Sequence, residues 1–303
     1  MRTERLLLSF LVVVLFSTQV CAQGMRALTL KESLERDVNG PREFADKQFP
    51  PHKIIGNLYY VGTGTLSSFL ITTPQGHILI NSTYERTVPV VRDSVQDLGF
   101  RFEDIKILLG SHAHGDHMEG DALVKQLTGA MVIAMDKDVP ALEKMRPGGK
   151  PHPIDRVLRP GDEVAFAGMT LVAHHTPGHT DGNTSWAFQV QEDGKPYNVV
   201  IVGAMGGPDR YKLVENGQLT QVGKDYAASY KLLRSLPCDV VLGSHAKMYN
   251  MHEKYAALSM QMANGPGPNP FIDPKGYLIE LENTEKEYLY WVEEQKKAEA
   301  AKK

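Results

Sequence analysis

The sequence predicts an α/β fold in which two β-sheets pack together and helices cover their outer faces. Short apolar segments of strand length alternate with helix-like segments in the order strand, helix, strand, helix, and the same order recurs in the second half of the chain. No repeat of short fixed period interrupts this pattern. A chain of 303 residues can bury a substantial core as one large domain or as two fused halves.

The first half of the chain begins with a polar arm over residues 24–51 that contains three prolines. Strands follow, and two of them are separated by a Pro-Gln-Gly turn at 74–76. Valines at helical spacing then predict the first long helix. The predicted strands of this half are 54–61, 67–72, 77–81, 104–109 and 131–134, and the predicted helices are 88–98 and 119–127.

The second half starts with two hairpins, one turning at Gly168 and the other over residues 191–195. A loop rich in proline and glycine is predicted over 264–276. The C-terminal segment 285–303 is charged and helical in propensity, and its last residues are expected to fray. The predicted strands are 164–166, 170–173, 184–190, 197–202 and 239–242, and the other predicted helices are 226–236 and 254–262.

Residues 1–22 have the pattern of a secretory signal peptide. A basic start precedes an apolar run over 6–16, and small residues follow, with cleavage expected after Ala22. The apolar run is too short for a membrane span, which needs about 20 residues. Lipidation at Cys21 is the second interpretation. A periplasmic protein comprising residues 23–303 as a single domain is therefore predicted.

The charge balance argues against several classes of partner. The formal net charge is −3, and removal of residues 1–22 leaves a small excess of acidic side chains. This charge balance gives no reason to expect nucleic acid as a partner. It also gives no reason to expect a membrane as a partner after signal cleavage. Removal also leaves Cys238 as the one cysteine, so no internal disulfide can form. We expect a monomer that acts on a small-molecule substrate.

The segment 111–117 concentrates four side chains that bind borderline transition metals. His112, His114, Asp116 and His117 have His-x-His-x-Asp-His spacing and follow a short apolar strand. A catalytic zinc usually takes three protein ligands and keeps an open position, so four ligands in six residues are too many for one ion. The economical interpretation is two metals, with His112 and His114 on one and Asp116 and His117 on the other.

Two later segments supply the missing ligands. His179 lies in the Thr-Pro-Gly-His-Thr segment 176–180, and His245 lies in the Gly-Ser-His segment 243–245. Each follows an apolar strand, which is the topological position of the first motif as well. If the three loops meet at one edge of the sheets, they provide six ligands, three for each metal.

The remaining histidines are interpreted as structural. His174 and His175 end a strand next to a metal loop, a position more typical of a supporting residue than of a ligand. The other histidines are not grouped with further metal-binding residues in the sequence. They are His52, His77, His152 and His252.

With these three segments in this order, the chain resembles the metallo-β-lactamase superfamily and, within it, the third subclass of the class B β-lactamases. Further stretches that carry the resemblance are 66–76, 78–81 and 269–274. The resemblance implies a four-layer αβ/βα sandwich with two zinc ions at one edge. It divides the ligands into two sets of three: His112, His114 and His179 for the first zinc, and Asp116, His117 and His245 for the second.

The implied reaction is opening of the β-lactam ring of penicillins, cephalosporins and carbapenems by a zinc-bound hydroxide, which confers antibiotic resistance. Asp116 would both bind metal and orient the hydroxide, and no Gly-x-Ser-x-Gly nucleophile elbow is present. The alternative is a dizinc lactonase or thioesterase with incidental lactam turnover. Many such relatives carry a bridging aspartate after the late strand, where this chain has Gly203-Ala204. A non-enzymatic zinc-binding relative is disfavoured by the six intact ligands.

One departure from the resemblance concerns the substrate. Enzymes of the third subclass commonly place a serine that holds the substrate carboxylate close to where this chain has Ala204, Met205 and Gly206. Neither alanine nor methionine donates a side-chain hydrogen bond to a carboxylate. We therefore expect altered substrate preference with the metal machinery intact, unless the backbone of the Gly206-Gly207 run or another loop replaces the serine.

Overall fold

The computed structural model describes residues 25–36, 42–265 and 267–302. Its architecture is the predicted four-layer αβ/βα sandwich. The predicted signal peptide and Cys21 lie outside the described residues. Eight α-helices occur in the described residues: α1 Leu30–Leu34, α2 Val88–Asp97, α3 Gly115–Met118, α4 Asp121–Thr128, α5 Val139–Leu142, α6 Gln221–Ser235, α7 Met251–Asn264 and α8 Pro274–Ala300.

The first sheet has seven strands whose spatial order follows the chain order. The first four pair antiparallel, and the strands from the fourth to the seventh pair in parallel, with α2, α4 and α5 in the successive connections. The strands are β1 His52–Ile55, β2 Leu58–Tyr60, β3 Phe69–Thr73, β4 Gly76–Ile80, β5 Ile105–Leu109, β6 Met131–Met135 and β7 Arg156–Leu158.

The second sheet has five strands in the order β14-β11-β10-β9-β8. Its hairpins pair antiparallel, and the parallel β11–β14 pair brings the chain back to the sheet after α6. The remaining strands are β8 Glu163–Phe166, β9 Met169–His175, β10 Thr184–Glu192, β11 Lys195–Val202, the two-stranded hairpin β12 Val214–Glu215 and β13 Gln218–Leu219, and β14 Val240–Gly243.

The core follows from the alternation of side chains along the strands. In β3, Phe69 and Ile71 face the second sheet, whereas Leu70 packs with the valines of α2 on the outer face of the first sheet. Buried tyrosines of α6 and α8 cover the second sheet. Strands that are apolar on both faces are therefore held between a helical layer and the other sheet, and their loops are left to carry the site.

Three element predictions need correction. The predicted strand 54–61 is a hairpin, because the turn at Gly56-Asn57 reverses the chain between β1 and β2. The loop predicted over 264–276 ends early, since Asp273 caps α8 by accepting from the Gly276 amide and Pro274 occupies the first turn. The C-terminal helix consequently begins at Pro274 and not at residue 285.

The predicted N-terminal arm is partly helical and tightly docked. Helix α1 lies against α8, where the Ser33 hydroxyl donates to the Asn283 carbonyl oxygen and Arg36 forms a salt bridge with Glu280. The Glu280 side chain is 4% exposed, so this ion pair is buried. The arm therefore belongs to the folded body. Within the described residues, no helix combines the length and apolar character needed to cross a membrane.

Candidate metal centre

Three loops that follow strands converge at one edge of the sandwich. The loop after β5 carries the His-x-His-x-Asp-His motif, the loop after β9 carries His179, and the loop after β14 carries His245. Backbone hydrogen bonds join them to the sheets, among them one from the Thr184 amide to the Ser111 carbonyl oxygen. The sequence predictions of where these loops lie are thus matched by the topology.

The first cluster consists of His112, His114 and His179. Potential ligand atoms of the three side chains lie within 4.8 Å of one another. His179 Nε2 is 3.2 Å from His114 Nδ1, and the three rings lie edge to face with centroids 4.7–4.8 Å apart. Three imidazoles with converging nitrogens are a donor set typical of zinc.

The second cluster consists of Asp116, His117 and His245. Asp116 Oδ2 lies 3.4 Å from His117 Nε2 and 3.6 Å from His245 Nε2. The two clusters adjoin, because the ring centroids of His112 and His117 are 4.3 Å apart. The structure therefore brings together all six residues that the sequence predicts as ligands, in the two predicted sets.

The donor atoms fit metal ions. His112 Nε2 and both ring nitrogens of His117 are buried without a hydrogen-bond partner, which is costly for polar atoms unless another group satisfies them. Burial lowers the pKa of His117 to about 3 and that of His179 to about 4, and it lowers the pKa of His112 well below its usual value. Neutral imidazoles with free lone pairs are the form that binds metals.

Asp116 differs from the histidines in its electrostatics. Burial acts to raise the pKa of its carboxyl group, but electrostatic interaction with the His117 and His245 imidazoles outweighs burial and holds the pKa below the usual value. The carboxyl group is thus ionised at neutral pH. An anionic oxygen next to two imidazoles completes a mixed donor set for a second metal.

Neighbouring groups orient the ligands. Ser111 Oγ lies 3.2 Å from His112 Nδ1, and the Gly206 carbonyl oxygen lies 2.9 Å from His179 Nδ1. The Tyr211 hydroxyl donates to the His179 carbonyl oxygen. Because the second nitrogen of a ligating histidine is usually held by such a partner, His112 and His179 present Nε2 towards the cluster.

Both clusters open into a cavity of about 310 Å³. The residues that line it come from the metal loops, from the loops that follow β2, β4 and β11, and from the arm and α8. They are Ala45, Thr65, Leu66, Tyr84, His114, Asp116, His179, Ala204, Met205, Gly206, Gly207, Arg210, His245, Met248 and Thr284.

The segment predicted to contact substrate forms one wall of this cavity. Ala204 and Met205 are 5% and 1% exposed, and Gly206 holds His179 and accepts a hydrogen bond from the Tyr226 hydroxyl through its carbonyl oxygen. Asn183 donates to the Ala204 carbonyl oxygen. This backbone is therefore fixed, and neither the Ala204 nor the Met205 side chain donates a hydrogen bond to the cavity.

Two residues of the cavity were missed by the sequence analysis. Arg210 lies at the rim, exposed, and its guanidinium borders Gly207. Tyr84 lies beside Asp116, and burial together with the Asp116 charge raises the pKa of its hydroxyl. Neither residue has a spacing partner in the chain, so no pattern marked them. The signal that could have found Arg210 is its place at the end of the Gly-Gly-Pro-Asp-Arg segment that follows β11.

The histidines beside the second loop occupy other places. His175 donates from Nε2 to the Asp181 carbonyl oxygen at 2.7 Å and so supports the loop of His179. His174 lines a larger cavity of about 900 Å³ over β9, β10 and β11, to which none of the six clustered residues contributes. Among the described residues, neither belongs to a cluster that could hold a metal.

The four histidines interpreted as ordinary also lie away from both clusters. His52 and His252 belong to an aromatic group around Phe49, and His77 packs edge to face with Phe100. His152 has a more specific environment. Its Nε2 donates to the Met118 carbonyl oxygen at 3.1 Å and lies 3.1 Å from Asp121 Oδ2 at the start of α4, and the Asp121 carboxylate raises the pKa of His152 against the effect of burial.

Two clusters of neutral histidines and a carboxylate in an αβ/βα sandwich are the kind of site that metal-dependent hydrolases use. The family model of the metallo-β-lactamase superfamily matches residues 61–192, which include the first two metal loops. Similar solved structures extend the match. A metallo-β-lactamase from Legionella gormanii is 42% identical with a TM-score of 0.76, over 82% of this chain and 98% of that chain.

Two further structures agree. A subclass B3 metallo-β-lactamase from Bradyrhizobium japonicum is 31% identical with a TM-score of 0.74, over 84% of this chain and 98% of that one. A class B3 di-zinc metallo-β-lactamase from an Alaskan soil metagenome is 31% identical with a TM-score of 0.71, over 82% of this chain and 96% of that one. The chain belongs to the metallo-β-lactamase superfamily and groups with its class B3 enzymes.

Curated relatives found by sequence carry a different name. A hydroxyacylglutathione hydrolase from Hyphomonas neptunium is 28% identical over 63% of this chain and 60% of its own length. One from Bartonella quintana is 37% identical over 28% of this chain and 30% of its own length. The chain thus spans less than two thirds of these relatives.

Proposed function

We propose that this protein is a dizinc hydrolase that opens the β-lactam ring of penicillins, cephalosporins and carbapenems. The observation that carries the proposal is the pair of adjoining three-residue clusters at the floor of one cavity. His112, His114 and His179 would hold the first zinc, and Asp116, His117 and His245 the second. The similarity to class B3 enzymes over most of the chain supports this substrate class.

Two zinc ions bound there would supply a water-derived nucleophile at neutral pH and polarise a carbonyl group. The chain's own residues do the rest. Asp116 is ionised and faces the cavity, so it can accept a hydrogen bond and orient the attacking water. Tyr84, Leu66 and Met248 line the same cavity and would contact a bound substrate.

The runner-up activity is hydrolysis of thioesters or lactones, to which the curated relatives point. The resemblance places the bridging aspartate of those hydrolases after β11 in a Gly-Asp setting, and here the chain has Gly203-Ala204. Ala204 offers no carboxylate to a metal, which favours the lactamase proposal.

Arg210 is the candidate for binding the substrate carboxylate. Among the described residues that line the cavity, it is the one lysine or arginine, and it has no salt-bridge partner there. Penicillins, cephalosporins and carbapenems all carry a carboxylate beside the lactam nitrogen. A guanidinium can bind a carboxylate through two parallel hydrogen bonds, so Arg210 would replace the serine that residues 204–206 lack.

The proposal is tested by following hydrolysis of a carbapenem and of a penicillin by ultraviolet absorbance, with purified protein, added zinc and a chelator control. We expect chelator-sensitive turnover of both and two zinc ions per chain. A hydroxyacyl-glutathione thioester and a simple lactone are assayed in parallel. Turnover of these compounds by a dizinc protein that leaves both lactams intact would establish the runner-up instead.

Export to the periplasm is a separate proposal that rests on the sequence of residues 1–22. Fractionation of cells that express the full chain is expected to place the mature protein in the periplasmic fraction, with an N-terminus at Gln23. If Cys21→Ser moved the protein from a membrane fraction to a soluble one, the lipidation alternative would hold.

A further inference from the structure

We propose that Asp138 is a positioning residue that holds together the two loops carrying the first-metal ligands. Asp138 lies on the turn between β6 and α5 and is 3% exposed. It belongs to none of the segments that carry the ligands. The proposal rests on the assignment of His112, His114 and His179 as ligands of one metal.

The Asp138 carboxylate bonds to both loops. Oδ2 accepts a hydrogen bond of 2.7 Å from the Ala113 amide, which lies between the ligands His112 and His114. Oδ1 accepts one of 2.9 Å from the Gly182 amide, and the Thr180 hydroxyl donates to Oδ2 at 3.3 Å. One side chain therefore spans from the middle of the motif to the residues that follow His179.

The use of this carboxylate is unusual for its position. Asp138 is the N-cap residue of α5, where an aspartate ordinarily accepts from an amide of the helix's own first turn. Here the side chain makes no such bond. Both oxygens are directed to other loops, so helix capping does not account for an aspartate at this position.

The second loop is shaped to receive the carboxylate. A Cβ at residue 182 would lie 2.4 Å from the Asp138 backbone nitrogen and 2.5 Å from its Cγ. The absence of a side chain at Gly182 is therefore what allows the backbone of the His179 loop to approach Asp138. Close approach and hydrogen bonding together fix the separation of the two loops.

The consequence concerns metal affinity. A ligand set whose loops are held at the correct separation loses less freedom when a metal binds, so breaking the link should weaken the first site. The second site takes its candidate ligands from the motif loop and from the loop after β14, and none from the His179 loop. Asp138 forms no hydrogen bond with the loop after β14. Asp138 should therefore affect the two sites unequally, which a general structural role would not do.

The experiment isolates each site. In a His245→Ala background only the first site keeps three ligands, and in a His179→Ala background only the second does. Zinc affinity is measured in both backgrounds by competition with a chromophoric chelator, with and without Asp138→Asn. This substitution keeps the side-chain shape but places an NH₂ group opposite a backbone N–H.

We expect Asp138→Asn to weaken zinc binding at least about tenfold in the His245→Ala background, as is typical for residues that support metal ligands. In the His179→Ala background, we expect the affinity to change less than about twofold. Equal losses in both backgrounds, or no loss in the first, would overturn the proposal. A His245→Ala protein that binds no zinc would instead contradict the ligand assignment itself.

Two further variants control for stability. Asp136→Asn makes the same charge change on the same turn at a side chain whose Oδ1 has no hydrogen-bond partner, and we expect wild-type zinc affinity. Thr180→Val removes one donor and leaves the carboxylate in place, so a smaller loss of first-site affinity than that of Asp138→Asn is expected. The unfolding temperature of each metal-free variant is measured as well. If the loss of zinc affinity were proportional to the decrease in unfolding temperature across the variants, Asp138 would have only a structural role.

Discussion

The two sides of the cavity are built differently. On one side, the six candidate ligands lie on loops fixed by strand ends, and His112 and His117 are 1% and 0% exposed. On the other side, the wall formed by residues 204–207, Arg210 and Tyr84 comes from separate segments and places an exposed guanidinium at the rim. The candidate ligands thus form a preorganised unit, whereas the wall contributes separate side chains and touches that unit through the Gly206 carbonyl oxygen, which holds His179 Nδ1.

The largest effect is expected from the metal side. Replacing His179 by alanine removes a ligand, so zinc content should fall and kcat/KM for a carbapenem should drop by more than about a hundredfold, since even residues that only support ligands contribute ten- to hundredfold. His174→Ala, five positions earlier on the outer face of β9, is the matched control and should retain zinc and activity. The assignment is contradicted if the two variants lose zinc equally.

On the wall side, Arg210→Gln should raise KM for a carboxylated lactam by about 10–100-fold, because a hydrogen bond to a charged group contributes about 1.5–3 kcal/mol. Zinc content and kcat should change little. Arg210→Lys should restore part of the affinity. The methyl ester of the same lactam supplies the control, since it should bind both proteins equally, and an equal KM increase for acid and ester would remove Arg210 from this role.

The sequence predicted the ligand side of the cavity better than it predicted the wall. The six clustered residues could be selected from the sequence because four of them fall within six residues and the other two follow apolar strands. Arg210 and Asp138 were not, because a single charged residue in a loop has no spacing that distinguishes it from a solvated one. The predicted start of helix α8 lies too far along the chain, because Pro274 and Gly276 are typical loop residues. With Asp273 they form a capped helix start instead.

A third effect concerns the support beneath the motif. His152 lies 3.1 Å from the Asp121 carboxylate at the start of α4, and this ion pair raises the pKa of His152 in the folded protein despite burial. A pair that raises the folded-state pKa of a histidine contributes its full stabilisation of the folded protein below the unfolded imidazole pKa of about 6.5. This contribution is lost as the pH rises through the pKa of the histidine in the folded protein. His152→Gln should thus lower the free energy of unfolding by about 1–3 kcal/mol at pH 5.5 and by less at pH 9.

Urea unfolding of metal-free wild type and His152→Gln at these two pH values measures the difference. His77→Gln serves as the control, because burial lowers the pKa of His77 and the opposite pH trend is expected for it. A stability difference at His152 that did not shrink with rising pH would show that the pair does not depend on a charged imidazole.

The smallest effect tests whether the two sides are independent. The Tyr211 hydroxyl donates to the His179 carbonyl oxygen, so it joins the residue after Arg210 to the metal loop. Tyr211→Phe removes one hydrogen bond worth about 1 kcal/mol. We expect KM for a carboxylated lactam to rise about fivefold, because Arg210 loses its fixed neighbour, while zinc affinity is retained because the Gly206 carbonyl still holds His179 Nδ1. A loss of zinc affinity with unchanged KM would show instead that the wall supports the metal loop, and that the two sides evolve as one unit.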